Sequence, residues 1–323
     1  MTMAGSSYLE DFERDYPPTS VKFPASYRGK KIEEANLILE GGGMRGIFTA
    51  GVLDYLMEHD LWCRHVIGVS AGVVAATNYV AGLIGRTAYV NLKYCPDPRY
   101  ISLQSALETG NAFNRETAFE LIPDRIDPFP YEAFADSPMT MTVVCSNLDT
   151  GEADYRLVKN LKADLPYEIA SSSLPGVSEI VEVDGKKLLD GGTCDSIPIA
   201  YSLMTGVEKH IVVRTRSREY VRKSNALIPL LALIYRDYPF YVERLRSRHV
   251  EYNRTARALE RMHQAGDCFV IWPEEEISIS NLEHDQEKVL HYYEHGVEVA
   301  ARVYGDLMAY LEAPPVPQPP ETF

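Results

Sequence analysis

One short string in this sequence places a hydroxyl group among small residues. Ser70 is the centre of Gly68-Val-Ser70-Ala-Gly72, between an apolar run and a stretch rich in alanine and valine. This is the spacing of a nucleophile elbow, in which Gly68 and Gly72 allow a sharp turn that lifts the serine hydroxyl above the edge of a sheet. The alternative is a glycine turn in which the serine caps a helix, and so short a pattern also occurs by chance.

A second string offers bare backbone amides. It follows an apolar run, precedes a helical pattern, and consists of Gly41, Gly42, Gly43, Met44, Arg45 and Gly46. Glycine N–H groups at the start of a helix stabilise an anion, so the string fits an oxyanion hole. Three of the glycines also fit a dinucleotide-binding fingerprint, for which Asp60, about 20 residues further on, is the candidate ribose anchor. A tight turn without a ligand is the third interpretation.

A third string ends an apolar run with a carboxylate. Residues 181–189 predict a hairpin that turns at Asp184-Gly185 and leads into Asp190-Gly191-Gly192. An aspartate at a strand end can accept the proton of a serine, although a turn or a helix cap is the more ordinary role for such a residue. With the first two strings it completes the nucleophile, base and anion cradle that acyl transfer needs.

Strand and helix patterns alternate along the chain and position these strings. Strand patterns lie at 36–40, 65–69, 140–145, 209–214 and 267–272, and helical patterns at 47–59, 71–83, 226–263 and 284–312. This order predicts an α/β fold with a mostly parallel central sheet and helices on both faces. Because parallel strands end at one edge, we expect the three strings, each at the carboxyl end of a strand, to meet there. Pro239 predicts a break in the third helical pattern.

Proline-containing ends flank this region. Residues 1–35 include Pro17, Pro18 and Pro24 and predict an N-terminal arm of extended segments lying on the domain. Residues 36–312 are then one catalytic domain. Residues 313–323, with five prolines, predict a tail that is polyproline-like or disordered.

Composition and charge exclude several classes of protein. Hydrophobic residues make up 46% and charged residues 24%, which fits a globular chain and excludes wholesale disorder. The formal net charge of −14 argues against nucleic-acid binding and leaves only a local, transient contact with a membrane surface. The five cysteines indicate reduced thiols, and no apolar run resembles a secretory signal or a membrane span, so we expect a cytoplasmic protein.

Four strings together make a family recognisable. In chain order, Gly41 to Gly46, Gly68 to Gly72, Ala170-Ser-Ser-Ser-Leu-Pro-Gly176 and Asp190 to Gly192 resemble the patatin-like phospholipase family. The resemblance implies a patatin-like three-layer sandwich. It also implies a serine lipid acyl hydrolase of the phospholipase A, lysophospholipase or carboxylesterase type, with a lipid or other ester as substrate. Glu40 stands where many members carry aspartate before the glycines.

The resemblance also implies roles for individual residues. Ser70 is the expected nucleophile and Asp190 the expected general base of a dyad, accompanied by Gly191 and Gly192. The backbone N–H groups of the second string, from Gly42 to Arg45, are the expected oxyanion hole, braced by the Arg45 side chain. No metal or cofactor is implied, and no histidine, cysteine or carboxylate group in the sequence has ligand spacing.

Other interpretations stay open. Aspartate ordinarily has a pKa near 4, low for a serine base, so a histidine is the alternative partner of the serine. The candidates are His210, His249, His263, His284, His291 and His295. The chain is alternatively a dinucleotide-binding protein, or a non-catalytic patatin-fold interaction protein, and its oligomeric state is left open.

An apolar segment at 226–234 is followed by aromatic residues and by a run of arginines between 244 and 261. The segment predicts either an acyl-chain pocket or lipid-contacting lid, or a buried amphipathic helix packed on the sheet, and the buried helix is favoured. The arginines predict a solvated helix face in preference to a surface that binds lipid phosphates.

Overall fold

Strands and helices alternate over the part of the chain that the structure describes, residues 3–275 and 278–314 of a computed structural model. The strands are β1 (Glu33–Leu39), β2 (Cys63–Val69), β3 (Thr140–Asn147), β4 (Ala153–Val158), β5 (Val181–Val183), β6 (Lys186–Asp190), β7 (Lys209–Val213) and β8 (Phe269–Ile271). The α-helices are α1 (Met3–Asp15), α2 (Gly46–Glu58), α3 (Ala71–Val80), α4 (Arg86–Tyr94), α5 (Leu103–Thr109), α6 (Tyr131–Ala135), α7 (Leu161–Ser171), α8 (Ile199–Met204), α9 (Ile228–Ile234), α10 (Pro239–Ala265) and α11 (Gln286–Glu312). Two short 3₁₀ turns, Gly43–Arg45 and Gly191–Thr193, and a π-helical segment, Thr117–Ile126, lie between them.

The strands form one sheet in the order β5-β6-β3-β2-β1-β7-β8, and β4 also pairs with β3. β3, β2, β1, β7 and β8 run parallel to one another, whereas β4, β5 and β6 are antiparallel to their neighbours. The predicted α/β fold with a mostly parallel central sheet is confirmed. Because β1 lies between β2 and β7, its carboxyl end is where the strand order reverses, the place where open α/β sheets bind ligands.

Side chains of the central strands are buried on both faces of the sheet. Leu37 and Leu39 of β1 join a large apolar cluster that includes Phe48 of α2. Ile38, which lies between them, joins a second cluster with Tyr252 of α10. Burial on both sides is typical of parallel strands covered by helices on each face. The layers are therefore helix, sheet and helix, as predicted.

The predicted hairpin before Asp190 is present. β5 and β6 pair in antiparallel register, with Val183 opposite Lys186. Asp184 and Gly185 at the turn both have positive φ, 50° and 72°. Positive φ at both central residues is what a type I′ turn requires, and Asp-Gly is a favoured pair there.

The N-terminal arm differs from the expected extended segments, because it begins with α1. Phe12 of this helix is fully buried, and its ring centroid lies 5.6 Å from that of Tyr94. Leu9, Phe12 and Tyr16 have helical spacing, a signal that the prolines just after them obscured. β1 begins at Glu33, before the predicted boundary at residue 35. Of the predicted tail, residues 315–323 lie outside the described residues.

Pro239 is the first residue of α10, so the predicted break in the third helical pattern is confirmed and separates α9 from α10. Proline fits the first turn of a helix because its missing N–H would have no partner there. Within the described ranges, no helix combines the length and the apolar character needed to cross a bilayer.

Candidate active site

Ser70 occupies a strained turn between β2 and α3. Its φ is 55° and its ψ is −124°, a combination that non-glycine residues rarely adopt. Gly68 and Gly72 permit this turn. A Cβ at Gly68 would lie 2.8 Å from Cα of Val73, and one at Gly72 would lie 2.5 Å from the carbonyl oxygen of Leu39. The turn has the strand-before, helix-after context that a nucleophile elbow needs.

Ser70 and Asp190 are in direct contact although 120 residues separate them. The Oγ of Ser70 donates a hydrogen bond to Oδ2 of Asp190 at 2.5 Å, and the two residues are only 6% and 3% exposed. A hydrogen bond from a hydroxyl to a carboxylate is charge-assisted and stronger than a neutral one. In the described part of the chain no histidine hydrogen-bonds to either side chain. The ring of His210 contacts the hydroxyl of Ser202 instead.

The register of β3 explains this contact. Val144 of β3 pairs with Val69 at the end of β2, and the next residue, Cys145, pairs with Asp190 at the end of β6. Since Asp190 reaches the carboxyl edge because β6 enters from beyond that edge, antiparallel to β3.

Burial changes the acid–base properties of Asp190. Its Oδ1 accepts the backbone N–H of Gly192 at 2.7 Å, so each carboxylate oxygen has a donor. Burial raises the pKa of Asp190 above its ordinary value, and the hydrogen bond from Ser70 and the charges of Arg248 and Arg222 oppose that shift. A raised pKa makes a carboxylate a better proton acceptor near neutral pH.

The serine string at 170–176 connects the two halves of the site. Oγ of Ser171 accepts the backbone N–H of Ser70 at 2.9 Å and donates to the carbonyl of Val144 at 2.6 Å. The backbone carbonyl of Ser173 accepts the N–H of Asp190 at 2.9 Å. In the sequence this string carried only a family resemblance. Its positioning contacts join residues distant in the chain, and no local pattern predicts them.

The glycine string begins directly beside Ser70. A Cβ at Gly41 would lie 2.9 Å from Cβ of Ser70, so only glycine fits there without a shift. The N–H of Met44 donates to the carbonyl of Asn281 at 3.1 Å, and the N–H of Arg45 donates to the carbonyl of Gly42 at 3.3 Å. These two amides are therefore already engaged.

The backbone N–H groups of Gly41, Gly42 and Gly43 make no hydrogen bond to any residue that the structure describes. Gly43 has a φ of +56° and lines the cavity beside Ser70. Gly46 packs against α3, where a Cβ would lie 2.7 Å from Cβ of Ala71. Of the predicted oxyanion-hole segment, the amides of the first glycines are the ones left to bind an anion.

Arg45 holds the glycine string to a segment late in the chain. Its Nη1 donates to the carbonyl of Ile279 at 3.2 Å, and its Nη2 donates to Oδ1 of Asn281. Burial, followed by the charge of Arg216, lowers the pKa of Arg45 to about 10, so the guanidinium is still charged at neutral pH. The side chain makes the bracing contacts expected of it, with partners from far beyond the motif.

Glu40, before the glycines, anchors the carboxyl edge of the sheet. Its Oε2 accepts the backbone N–H of Thr215 at 2.8 Å, and its Oε1 accepts the hydroxyl of Tyr252 at 2.5 Å. Nε of Arg214 lies 3.7 Å from the same carboxylate. These contacts tie the end of β1 to the end of β7 and to α10, a structural role that agrees with the expectation of no catalytic one.

Two adjoining chambers open beside the serine. The outer chamber has a volume of about 590 Å³ and the inner one about 640 Å³, open solvent at their mouths included. Both volumes fall in the range of ligand pockets. Ser70, Gly43, Met44 and Leu174 line the outer chamber. The two chambers share walls at Val74, Thr87, Asn91, Tyr100 and Phe113.

The inner chamber is apolar except for one group of buried polar side chains. Among them, Glu168 accepts a hydrogen bond at Oε1 from the hydroxyl of Thr77 at 2.8 Å. Burial raises the pKa of Glu168 to about 7, an effect that the charge of Asp164 reinforces and the bond from Thr77 opposes. Arg86 lines the same chamber and donates to Oδ1 of Asn78 at 3.2 Å.

The apolar segment at 226–234 is exposed. Leu230 and Leu233 of α9 are 53% and 62% exposed, Leu227 and Ile234 at its ends are similarly exposed, and Leu231 is the buried residue of the helix. The favoured expectation of a buried amphipathic helix is wrong, because α9 is short and meets the core through one leucine. The lipid-contacting lid is the interpretation that the exposure favours.

The other candidate residues lie elsewhere. Asp60 precedes β2, at the edge of the sheet opposite the glycine string, and pairs with Lys30 at 2.8 Å, so the dinucleotide interpretation loses its ribose anchor. The ring nitrogens of His263, His284 and His295 contact backbone groups away from Ser70. Among the described residues, no three histidine, cysteine or carboxylate side chains form a group that could hold a metal ion.

Two family models match the chain. Patatin-like phospholipase matches residues 37–203, which hold Ser70 and Asp190, and a domain of unknown function (DUF6363) matches residues 238–312. The first match covers more than half of the chain. The second covers α10, β8 and α11, so Asn281 and Arg248 near the site come from outside the patatin-like match.

Several curated proteins are similar to the chain. The uncharacterized protein YjjU of Escherichia coli (strain K12) is 25% identical over 257 residues, 68% of each chain. An uncharacterized NTE family protein of Mycobacterium tuberculosis (strain ATCC 25618 / H37Rv) is 27% identical over 173 residues, 54% of this chain and 46% of that one. Lysophospholipase NTE1 of Candida albicans is 27% identical over 196 residues, 56% of this chain and 13% of that one. The chain thus spans less than half of the mycobacterial relative and a small part of the fungal one.

Among solved structures, VipD from Legionella pneumophila aligns with 85% of this chain and 67% of its own. The sequence identity is 10% and the TM-score is 0.40. A likeness of that size supports no statement about the chemistry of this chain.

Proposed function

The chain belongs to the patatin-like phospholipase family, and from that premise we propose that it is a serine lipid acyl hydrolase of the phospholipase A, lysophospholipase or carboxylesterase type. The observation that carries the proposal is the hydrogen bond of 2.5 Å between Ser70 and Asp190. A nucleophile bonded to a base, beside unoccupied backbone amides, is the set of groups that acyl transfer uses.

In the proposed reaction, Oγ of Ser70 attacks the ester carbonyl carbon while its proton passes to Oδ2 of Asp190. The N–H groups of Gly41 to Gly43 stabilise the negative oxygen of the tetrahedral intermediate. The intermediate collapses, and the alcohol leaves with the proton that Asp190 holds. Water then attacks the acyl-enzyme, gives a proton to Asp190, and displaces Ser70, which recovers that proton.

The chambers beside Ser70 support an acyl-chain site. The outer chamber begins at the nucleophile, and the inner chamber continues it past Val74 and Phe113. Apolar walls exclude water from the acyl chain and stabilise it by about 0.8 kcal/mol for each buried CH₂ group. The acyl group of the substrate therefore occupies the outer chamber first and reaches the inner one only when it is long.

The exposed leucines of α9 support a local, transient contact with a lipid surface. Leu227, Leu230 and Leu233 present an apolar patch on a protein of net charge −14. Because that overall charge gives no attraction to an anionic bilayer, the contact depends on burial of apolar side chains. Contiguous exposed apolar side chains are typical of interaction surfaces.

Hydrolysis of p-nitrophenyl butyrate tests the proposal. The Ser70→Ala and Asp190→Asn variants are expected to lose a factor of roughly 10³ or more in kcat/KM. Ser137→Ala and Asp60→Asn are matched controls away from the site and are expected to keep wild-type rates. Activity that survives in Ser70→Ala would remove the proposal.

A fluorophosphonate probe separates the hydrolase from a non-catalytic patatin-fold protein. The wild type is expected to be labelled at Ser70, and the Ser70→Ala variant is expected to stay unlabelled. A folded wild type that neither reacts with the probe nor hydrolyses esters would favour the non-catalytic alternative.

A further inference from the structure

An arginine of α10 lies beside the dyad without a partner. Arg248 is half-buried, and its guanidinium makes no hydrogen bond or ion pair with a described residue. The point that a Cβ at Gly192 would occupy is 3.0 Å from Nη2 of Arg248 and 2.9 Å from Oδ1 of Asp190. The cation is therefore adjacent to the carboxylate without forming an ion pair with it.

A second arginine faces the same place from the segment between β7 and α9. The guanidinium of Arg222 stacks over the ring of Tyr252, 4.3 Å from its centroid. Like Arg248, it makes no side-chain hydrogen bond or ion pair within the described ranges, and Nε of both arginines is buried and unpartnered. Its charge acts on Arg45, Asp190 and Arg248, so it lies near the glycine string and the dyad.

The other arginines of α10 behave differently. Arg246 and Arg254 are exposed and lie 3.6 Å from Glu243 and Glu251 on the same helix. They fit the solvated helix face that the sequence predicts. Arg248 does not fit it, because it faces the protein and the active site.

Two like charges without acidic partners are costly in a half-buried site. Burial, followed by the charge of Arg222, lowers the pKa of Arg248, which shows that the two cations oppose each other. An anion between them would reduce this repulsion and accept the unused N–H groups. The planar fork of a guanidinium matches phosphate oxygens in pairs, so phosphate is the anion that such a site binds best.

We propose that Arg222 and Arg248 bind the phosphate of the substrate's head group. The inference rests on the proposed function and narrows it to phosphate-containing lipid esters. The acyl ester would lie at Ser70 and the phosphate across Asp190 from it, against the two guanidinium groups. Arg248 belongs to the region matched by DUF6363, so this region would supply head-group selectivity to the patatin-like part.

Two esters with the same acyl chain test the inference. The quantity measured is kcat/KM for decanoyl lysophosphatidylcholine divided by kcat/KM for 1-decanoylglycerol. Arg222→Gln and Arg248→Gln are each expected to lower this ratio by roughly 10- to 100-fold, because each removes charge-assisted hydrogen bonds to phosphate. Arg246→Gln on the same helix is the matched control. Arg248→Lys, which keeps the charge, is expected to recover part of the ratio.

Binding of inorganic phosphate, measured by calorimetry, gives a readout independent of catalysis. The wild type is expected to bind phosphate, and both glutamine variants are expected to lose that binding. Phosphate binding that is lost in the variants while the ester ratio stays unchanged would assign the site to free phosphate. An ester ratio and a phosphate affinity that both stay at wild-type values in the variants would overturn the inference.

These measurements separate the inference from the proposed function. If the wild type hydrolyses neither ester but binds phosphate through Arg222 and Arg248, the hydrolase proposal fails and the anion site stands. If both esters are hydrolysed with a ratio that neither variant changes, and phosphate does not bind, the hydrolase stands and the anion site fails.

Discussion

The hydroxyl of Ser171 accepts the backbone N–H of Ser70 at 2.9 Å. It thus holds the strained residue whose side chain contacts Asp190, and it is itself held by its own bond to Val144 on β3. An unusual backbone conformation persists only where surrounding contacts determine it. Ser171 is therefore a positioning residue, one that acts on the reaction through the orientation of Ser70.

Replacement of this residue by Ser171→Ala leaves the amide of Ser70 buried without a partner. Such a loss costs about 1–3 kcal/mol, and we expect kcat for p-nitrophenyl butyrate to fall by roughly 10-fold with little change in KM. Ser137→Ala is the control, because Ser137 also accepts a backbone N–H, from Met139 at 3.2 Å, but away from the site. Equal effects of the two substitutions would contradict the positioning role.

The pH dependence of the reaction follows from Asp190. Its pKa is raised by burial, so the carboxylate takes up a proton, and kcat/KM falls, at a pH above that of an ordinary aspartate. The charge of Arg248 holds this pKa down. The Arg248→Gln variant is therefore expected to move the acid limb of the profile to higher pH. The measurement is kcat/KM for a neutral ester from pH 4 to 9, and an unmoved or downward-shifted limb would contradict it.

Local patterns predicted the parts of the site that local sterics determine. The elbow at Ser70 follows from Gly68 and Gly72, since each fills a place that no Cβ can occupy. The direction of β6 did not follow, because the strand pattern before Asp190 is the same for parallel and antiparallel pairing. Only the register of β3, which places Cys145 opposite Asp190, determines it.

Long-range partners escaped sequence reasoning for a related reason. Arg248 lies in a run of arginines that are otherwise solvated, and its position beside Asp190 depends on how α10 packs against the sheet. Asn281 has no motif around it, yet it accepts from both Met44 and Arg45. The exposure of Leu230 was also beyond sequence reasoning, because an apolar run does not reveal whether a neighbour covers it.

Acyl-chain length selection follows from Val74, which is half-buried and lines both chambers. A larger side chain in Val74→Phe would narrow the passage to the inner chamber. We expect kcat/KM for p-nitrophenyl dodecanoate, divided by that for the butyrate ester, to fall by about 10-fold, because several buried CH₂ groups are displaced. Leu165→Phe, at a wall of the inner chamber alone, is expected to lower the ratio less. An unchanged ratio in Val74→Phe would exclude this path for the chain.

Glu168 makes stability depend on pH. Its pKa is about 7 in the folded chain against an ordinary 4.5, so the native state binds the extra proton between these values. Stability is then highest below pH 4.5 for this group and falls as the pH rises through 7, by on the order of 3 kcal/mol. Glu168→Gln cannot titrate. Its free energy of unfolding in urea is expected to gain on that of the wild type between pH 5 and pH 8, whereas exposed Glu132→Gln is not. A constant difference between Glu168→Gln and wild type would contradict the buried, raised carboxyl.

The exposed leucines of α9 predict how the protein meets lipid. Leu230→Glu and Leu233→Glu together place two charges where the proposed contact buries apolar surface, so binding to phosphatidylcholine vesicles in a sedimentation assay is expected to fall roughly 10-fold or more. Hydrolysis of dissolved p-nitrophenyl butyrate is expected to stay within twofold of wild type, since these side chains point away from the core. Leu203→Glu is the matched control, because Leu203 is exposed next to Ser202, which contacts Asn36 near the start of β1, at the opposite edge of the sheet. If Leu203→Glu weakens vesicle binding as much as the α9 pair does, the contact is non-specific and α9 is not its site.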